Sequence, residues 1–221
     1  MKATKKYELS NETIEIDGIT LHRIKALKDF SDVKAGDLGG WVEKEDNLSQ
    51  MGDAWVYENA EVYGNAKVHG DAEIYRNAKV FGNAKIYDNA EVFGNAEIYG
   101  NAVISGNAKV FDNAQVYGDA IVYDNARVFG NARVCQGASV CGNAMVCGDA
   151  MVRCGADYII FKNFWSSGRF FTWTRSNNMW KVGCFYGTGK ELIEKAYRDS
   201  AKSGKEYEKI VRYVDSILAD K

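Results

Sequence analysis

Cations, amide groups and flat rings are concentrated in thirteen residues near the C-terminus. The set comprises Arg169, Trp173, Arg175, Asn177, Trp180 and Lys181. Guanidinium and ammonium groups bind phosphate oxygens, and indole rings stack on flat ligands and on cations. Because side chains alternate along a strand, Arg169, Trp173 and Arg175 would share one face. We predict these six as ligand-binding residues for a nucleotide or another anionic small molecule. The alternative is the core edge of a small domain with solvated arginines.

The two histidines, His22 and His69, give little support for catalysis. Acyl transfer needs a base that takes a proton from the acceptor hydroxyl or amine. His69 stands in a repeat position that Tyr or Phe fills in eleven of seventeen repeats, so we expect a surface residue there. We predict no catalytic residue and do not favour an enzyme.

The five cysteines do not form a recognisable metal or redox motif. They are Cys135, Cys141, Cys147, Cys154 and Cys184, and the first three are six residues apart. A zinc site usually needs paired CxxC or a Cys/His set, and the sequence contains no CxxC pair. We expect reduced thiols in a reducing cytosol, with no metal and no cofactor.

Seventeen six-residue repeats run without insertion from Asp53 to Cys154. Ala fills the second position and Val or Ile the fourth in all seventeen, and Asn fills the first in twelve. A period of six excludes an α-helix, because neither 3.6 nor 3.5 residues per turn keeps such a pattern on one face. Gly, frequent at position six, and the following Asn or Asp tolerate positive φ and are predicted to form turns. Three repeats would close one triangular coil, which gives a parallel β-helix of five to six coils.

The pattern V-x-G-N-A-x resembles the hexapeptide repeat of left-handed β-helix proteins, which include acyltransferases and γ-type carbonic anhydrases. The resemblance covers about half of the chain and implies a left-handed helix. It leaves two enzymatic alternatives to weigh. The γ-type carbonic anhydrases hold zinc with three histidines, and this sequence has two. A divergent hexapeptide-class acyltransferase remains an alternative, with His69 as its candidate base.

Residues eighteen apart should stack in columns on the outside of the helix. The fifth repeat positions give columns rich in Tyr and Phe, which either stiffen the sheets by stacking or bind a partner. At the third positions, Glu61 above Lys79 and Glu91 above Lys109 should form ion pairs. One column turns apolar at Val103 and Ile121, beside Tyr123. We predict Val103, Ile121 and Tyr123 as an interface with the C-terminal segment or a second subunit.

The flanking segments are predicted to cap the helix, because open coils expose strand edges. Residues 1–52 should contain a hairpin at 13–24, a glycine-rich loop at 34–41 and an irregular lead-in repeat at 47–52. Residues 53–154 form the β-helix. Residues 155–221 should form a small α+β domain with strands at 157–163, 169–175 and 179–186 and two helices, the first capped by Thr188 and Glu191 and the second at about 205–219.

Charge and hydropathy indicate which partners and which cellular compartment to expect. The net charge is −2, which argues against general nucleic-acid binding. The β-helix region carries a net −4 and residues 155–221 a net +4. The N-terminal residues do not resemble a secretory signal, and no stretch is apolar enough to cross a bilayer. We expect a cytoplasmic protein without a membrane partner.

The stretches TLHRIKALKDF, GDLGGWVEKEDNLSQ and TRSNNMWKVGCFYGTGKELI resemble uncharacterised hexapeptide-repeat proteins of phages and prophages. This resemblance implies a phage setting and no mechanism. The function we favour is a non-catalytic binding scaffold that self-associates or binds a protein partner. In the phage setting it could inhibit a host defence system by binding a host protein or sequestering a nucleotide. A structural virion or appendage component is a further alternative.

Overall fold

The computed structural model describes residues 5–165 and 167–219, and the chain divides into two compact units after Gly155. The first unit is a parallel β-helix with an N-terminal cap. The second is an antiparallel sheet with two helices. This architecture confirms the predicted fold class. Of the two helices that the structure describes, neither is long and apolar enough to cross a membrane.

The N-terminal cap contains strands β1 (Tyr7–Ile16), β2 (Ile19–Ala26) and β3 (Leu38–Val42). Asp17 and Gly18, both at positive φ, form the turn of the predicted hairpin. The strand β3 corrects the prediction of a glycine-rich loop at 34–41. A Cβ on Gly39 would lie 2.5 Å from the Val56 carbonyl oxygen, and one on Gly40 would lie 2.6 Å from that of Ala60. The glycines therefore let β3 pack closely against the first coil.

Each of the seventeen repeats contributes one two-residue strand at its third and fourth positions. These strands are β4 Trp55–Val56, β5 Glu61–Val62, β6 Lys67–Val68, β7 Glu73–Ile74, β8 Lys79–Val80, β9 Lys85–Ile86, β10 Glu91–Val92, β11 Glu97–Ile98, β12 Val103–Ile104, β13 Lys109–Val110, β14 Gln115–Val116, β15 Ile121–Val122, β16 Arg127–Val128, β17 Arg133–Val134, β18 Ser139–Val140, β19 Met145–Val146 and β20 Met151–Val152. They form three parallel sheets, which we call faces 1, 2 and 3 after their first strands β4, β5 and β6. Face 2 continues through β3 into the hairpin of the N-terminal cap.

Alanine and β-branched residues fill the interior of the β-helix. The second-position alanines, from Ala54 to Ala150, have no exposed surface. The fourth-position residues, from Val56 to Val152, are at most 1% exposed. Small and branched apolar side chains therefore alternate along the core, as the repeat predicts.

Each turn is formed by the sixth position of one repeat and the first position of the next. Every sixth-position residue from Glu58 to Gly148 has positive φ, including Asp88, Asp112 and Gln136. The following first-position residues also lie in the turns, as predicted, but none of those described has positive φ. The asparagines among them form ladders between coils: Asn77 Nδ2 donates to Asn95 Oδ1 at 3.2 Å, and Asn95 Nδ2 to Asn113 Oδ1 at 3.1 Å.

Backbone N–H groups at the first, third and fifth repeat positions donate to carbonyl oxygens of the following coil along the β-helix. Tyr57 N, for example, donates to Ile74 O at 2.8 Å. The first coil therefore presents carbonyl oxygens at the N-terminal end. Lys6 Nζ donates to Gly52 O at 3.1 Å and to Ala54 O at 2.8 Å. Asn47 Nδ2 donates to Gly64 O at 3.2 Å and to Ala66 O at 2.9 Å, so buried side chains of the cap satisfy this edge.

The C-terminal unit has an antiparallel sheet of β21 (Tyr158–Lys162), β22 (Phe170–Thr174), β23 (Met179–Val182) and β24 (Phe185–Gly187). Three strands were predicted, and the third is divided because Gly183 turns the chain at positive φ. Helix α1 (Gly189–Asp199) begins at the predicted cap, where Thr188 and Glu191 bond reciprocally. Helix α2 (Ala201–Ala219) starts about four residues earlier than predicted. The helices pack on the sheet through Leu192, Val211 and Val214.

Candidate functional site

Face 3 brings together the three residues predicted as an interface. Val103 pairs with Lys85 on one side and with Ile121 on the other, in the middle of the five-stranded sheet. Ile121 is 40% exposed. Tyr123 directly follows the strand that contains Ile121, and its side chain is half-buried. A hydrogen bond with Cys141 raises the pKa of the Tyr123 phenol. The sequence thus places an apolar strip on a flat, exposed sheet.

Corresponding positions on faces 1 and 2 are charged and paired. Lys79 Nζ lies 3.0 Å from Glu61 Oε2 on face 2, and Lys109 Nζ lies 2.6 Å from Glu91 Oε1 on face 1. Both pairs were predicted from the spacing and are confirmed. Each joins residues one coil apart and remains partly exposed, so its contribution to stability is modest.

The outward rings form stacks along faces 1 and 2. Neighbouring centroids from Tyr75 to Phe129 lie 4.6–4.9 Å apart, and those from Tyr63 to Tyr117 lie 4.9–5.1 Å apart, with planes within 8° of parallel. These rings cover one another's faces, which confirms the predicted stacking. On face 3 the stack stops early, because Ser105 follows His69 and Tyr87.

The histidines lie apart from any arrangement of acid, base and nucleophile in the described residues. His69 is exposed, and its imidazole stacks on Tyr87 with centroids 5.1 Å apart. His22 lies in β2, where Nδ1 is 3.4 Å from the Ser10 carbonyl oxygen. The two lie on different parts of the first unit and belong to no shared cluster.

The five cysteines all lie within the described residues, and none of them forms a disulfide. Cys135 and Cys147 are 3% and 4% exposed, and each occupies the fifth position of a repeat where a ring would otherwise stand. Among residues 5–165 and 167–219, no group of three or more His, Cys, Asp or Glu side chains is arranged to hold a metal ion.

The six predicted ligand-binding residues do not form one surface. Trp173 and Trp180 face each other across β22 and β23 and are 2% exposed, in the core beneath α1 and α2. The Trp173 indole N–H donates to Asn178 Oδ1 at 2.8 Å. Buried indoles offer no ring face to a stacking ligand. This arrangement matches the alternative stated from the sequence, a core edge.

The polar members of that set lie beyond the strand ends or on the face of the sheet opposite the indoles. Arg169 and Arg175 flank β22 at its two ends and are exposed. Asn177 Nδ2 donates to the Tyr186 hydroxyl at 3.1 Å, and its Oδ1 accepts from Thr174 Oγ1 at 2.6 Å. Lys181 alternates with Trp180, so it lies on the opposite face of the sheet from the indoles. A ligand-binding role for the six stays a prediction.

The sequence did not predict an acidic cleft that the structure has on face 1. It is lined by Asp32, Tyr57, Glu58, Glu73 and Tyr75. The Tyr57 hydroxyl donates to Asp32 Oδ1 at 2.8 Å, and burial raises the pKa of this phenol. Burial, followed by the charges of Glu91 and Asp32, raises the pKa of the Glu73 carboxyl. Tyr57 and Tyr75 are one coil apart, but Asp32 comes from a loop without periodicity, so spacing could not reveal the cleft.

Comparison with known proteins supports the repeat architecture. The family described as YdcK Beta solenoid repeat matches residues 114–128 and 122–136. The protein named Uncharacterized acetyltransferase YdcK of Escherichia coli (strain K12) is 40% identical over 62 residues, which cover 24% of this chain and 19% of that protein. The chain thus spans about a fifth of the length of this curated relative. Both findings indicate a β-solenoid repeat protein.

Proposed function

We propose that the protein is a non-catalytic binding scaffold in which the β-helix is a rigid support and face 3 binds a protein partner. The observation that carries this proposal is the apolar strip of Val103 and Ile121 in the middle of face 3. On the other two faces, the equivalent central positions hold charged or amide side chains.

Burial of this strip supplies a physical reason for binding. Covering a branched aliphatic side chain stabilises a complex by about 1.5–3 kcal/mol relative to leaving it in water. The strip lies on strands fixed by neighbours on both sides, so little conformational entropy is lost when a partner covers it. In the phage setting that the sequence resemblance implies, the partner is a host protein; self-association of the same face is the other form of this proposal.

Affinity capture from a bacterial lysate tests the proposal. The wild type is compared with one variant of the strip and one control variant on another face. Ile121→Glu places a charge in the strip. Arg127→Glu changes an exposed third-position residue on face 1 and serves as the control. We expect a partner that the wild type and the Arg127 variant retain and the Ile121 variant loses. Equal capture by all three proteins, with the same mass by light scattering, would contradict the proposal.

A divergent acetyltransferase is the second candidate, and the partial match to a relative named as an acetyltransferase favours it. His69 is the candidate base, since its imidazole is exposed on face 3. This candidate requires that acetyl-CoA binds, and that His69→Ala abolishes transfer to an acceptor amine without loss of acetyl-CoA binding. An absence of binding by calorimetry would eliminate it.

A further inference from the structure

The N-terminal half of face 3 carries two lysines in register. Lys67 and Lys85 are partners on the neighbouring parallel strands β6 and β9. Adjacent strands lie about 4.8 Å apart, and like charges directly opposite each other are destabilising. Within the described part of the chain, neither ammonium group belongs to an ion pair.

Other lysines of the β-helix show how the chain neutralises such charges elsewhere. Lys79 has Glu61 one coil before it, and Lys109 has Glu91 in the same relation. The repeat could place a glutamate beside Lys67 or Lys85 in the same way. Lys85 instead pairs with Lys67 on one side and Val103 on the other, so neither strand neighbour offers it a carboxylate.

A cleft adjoins Lys67, and Lys85 lies one strand beyond its lining. It is lined by Lys44, Asp46, Asn47, Asn65, Ala66 and Lys67, and encloses about 550 Å³, part of it open to solvent. One wall is fixed by Asn47, which is fully buried: its amide donates to Gly64 O and Ala66 O, and its Oδ1 accepts from Lys44 N at 2.9 Å. Lys44 is thereby held at the rim of the cleft.

We propose that Lys44, Lys67 and Lys85 form a site for the phosphate group of a small ligand. Ammonium groups one strand apart can contact two oxygens of one phosphate, or neighbouring phosphates of a diphosphate, through charge-assisted hydrogen bonds. Asn65 Nδ2 donates one hydrogen bond to Asn83 Oδ1 at 3.2 Å, and its second hydrogen can be donated to a phosphate oxygen.

The shape and charge of the cleft define its ligand. A concave site admits a small phosphate compound more readily than the surface of a folded acidic protein. Asp46 also lines the cleft, and Glu43 Oε1 lies 4.0 Å from Lys44 Nζ, so the anion belongs on the side of Lys67 and Lys85. This site adjoins the Val103–Ile121 strip on face 3, because Lys85 pairs with Val103.

Calorimetric titration of the full chain with inorganic pyrophosphate at low ionic strength tests this site, because salt screens exposed charges. We expect the double variant Lys67→Met and Lys85→Met to bind at least about tenfold more weakly than the wild type. Lys79→Met is the matched control, since this lysine is neutralised by Glu61, and its binding should match that of the wild type.

The stability of the double variant without ligand is a second measurement. It distinguishes loss of the binding site from loss of folding. Removing the repulsion between Lys67 and Lys85 should leave the double variant at least as stable as the wild type in denaturant. Failure of the wild type to bind pyrophosphate, or equal binding by the folded double variant, overturns the proposal. Binding of an acidic peptide in place of pyrophosphate overturns it in favour of a protein ligand. Because Lys85 pairs with Val103, the single variant Lys67→Met, which leaves both of these residues in place, separates this proposal from that of a protein partner.

Discussion

The β-helix and the C-terminal unit bury their apolar side chains in different ways. In the β-helix, alanine and valine or isoleucine recur at the same depth in every coil, and each contacts its equivalents one coil away. In the C-terminal unit, large residues such as Phe171, Trp173 and Trp180 each occur once, and they meet Leu192 and Val214 from the helices. Stability in the first region is a sum of many similar terms, and in the second it depends on a few large contacts.

The largest effect should come from the C-terminal core. Trp180→Ala removes a 2% exposed indole and leaves a cavity, which costs about 3–5 kcal/mol. Hydrogen exchange measured by mass spectrometry should show faster exchange throughout β21–β24 and α1. Phe164→Ala is the control, because Phe164 is 88% exposed and its loss should leave exchange in the strands unchanged. Unaltered exchange in the Trp180 variant would show that this core does not depend on single large residues.

A smaller effect is expected at the turns of the β-helix. Gly100 has φ of +72°, and a Cβ there would lie 2.8 Å from Gly118 N. Gly100→Ala should destabilise the helix by about 1–2 kcal/mol in urea denaturation. Gly100→Asp should cost less, because Asp88 and Asp112 occupy the same position and accept from Gly106 N and Gly130 N at 3.1 and 3.2 Å. The reverse order of the two variants would contradict this account of the turn.

The asparagine ladders should respond more weakly still. Asn95→Asp keeps the acceptor for Asn77 but loses the donor to Asn113, at a cost of about 1 kcal/mol. Asp149 ends its ladder, where it only accepts from Asn131 Nδ2 at 3.1 Å. Asp149→Asn should therefore be nearly neutral in the same denaturation experiment. Equal losses in both variants would mean that the direction of the ladder has no energetic consequence.

The pH dependence of stability should report on Lys6, which caps the N-terminal end of the β-helix. Burial lowers the pKa of Lys6 from 10.5 to about 8. Between these values the folded state binds fewer protons than the unfolded state, so the free energy of unfolding rises with pH. We expect this rise in urea denaturation between pH of about 8 and 9.5, and its absence in Lys6→Met. Identical slopes in both proteins would show that Lys6 titrates as it does in water.

Much of the first unit could be predicted because every six-residue repeat follows the same local pattern. The spacing of Ala and Val identified the interior, and residues eighteen apart identified the ion pair of Lys109 with Glu91. The ladders of the first-position asparagines were missed, because a turn and a ladder between coils need the same residue type. The strand at Gly39 and Gly40 was missed because its cause lies in the backbone of the first coil.

The candidate sites were harder to predict than the fold. Alternation placed Trp173 in a strand, as observed, although Arg169 and Arg175 lie just outside its ends; a binding face and a core face have the same pattern. Which one is buried depends on where α1 and α2 pack, and the strand sequence does not contain that information. Likewise Lys67 and Lys85 could be paired from their spacing, whereas Lys44 reaches the cleft through the irregular segment that precedes the repeats.

The identical hydrogen bonding of successive coils has a consequence for how such a chain can change in length. Inserting or deleting eighteen residues leaves every remaining coil with neighbours of the same kind, so both ends keep the partners they already have. Losing only six residues would leave the bonding intact as well, but it would turn everything downstream by a third of a revolution. Length is thus free to vary in steps of three repeats, while any other step redirects the surfaces that follow.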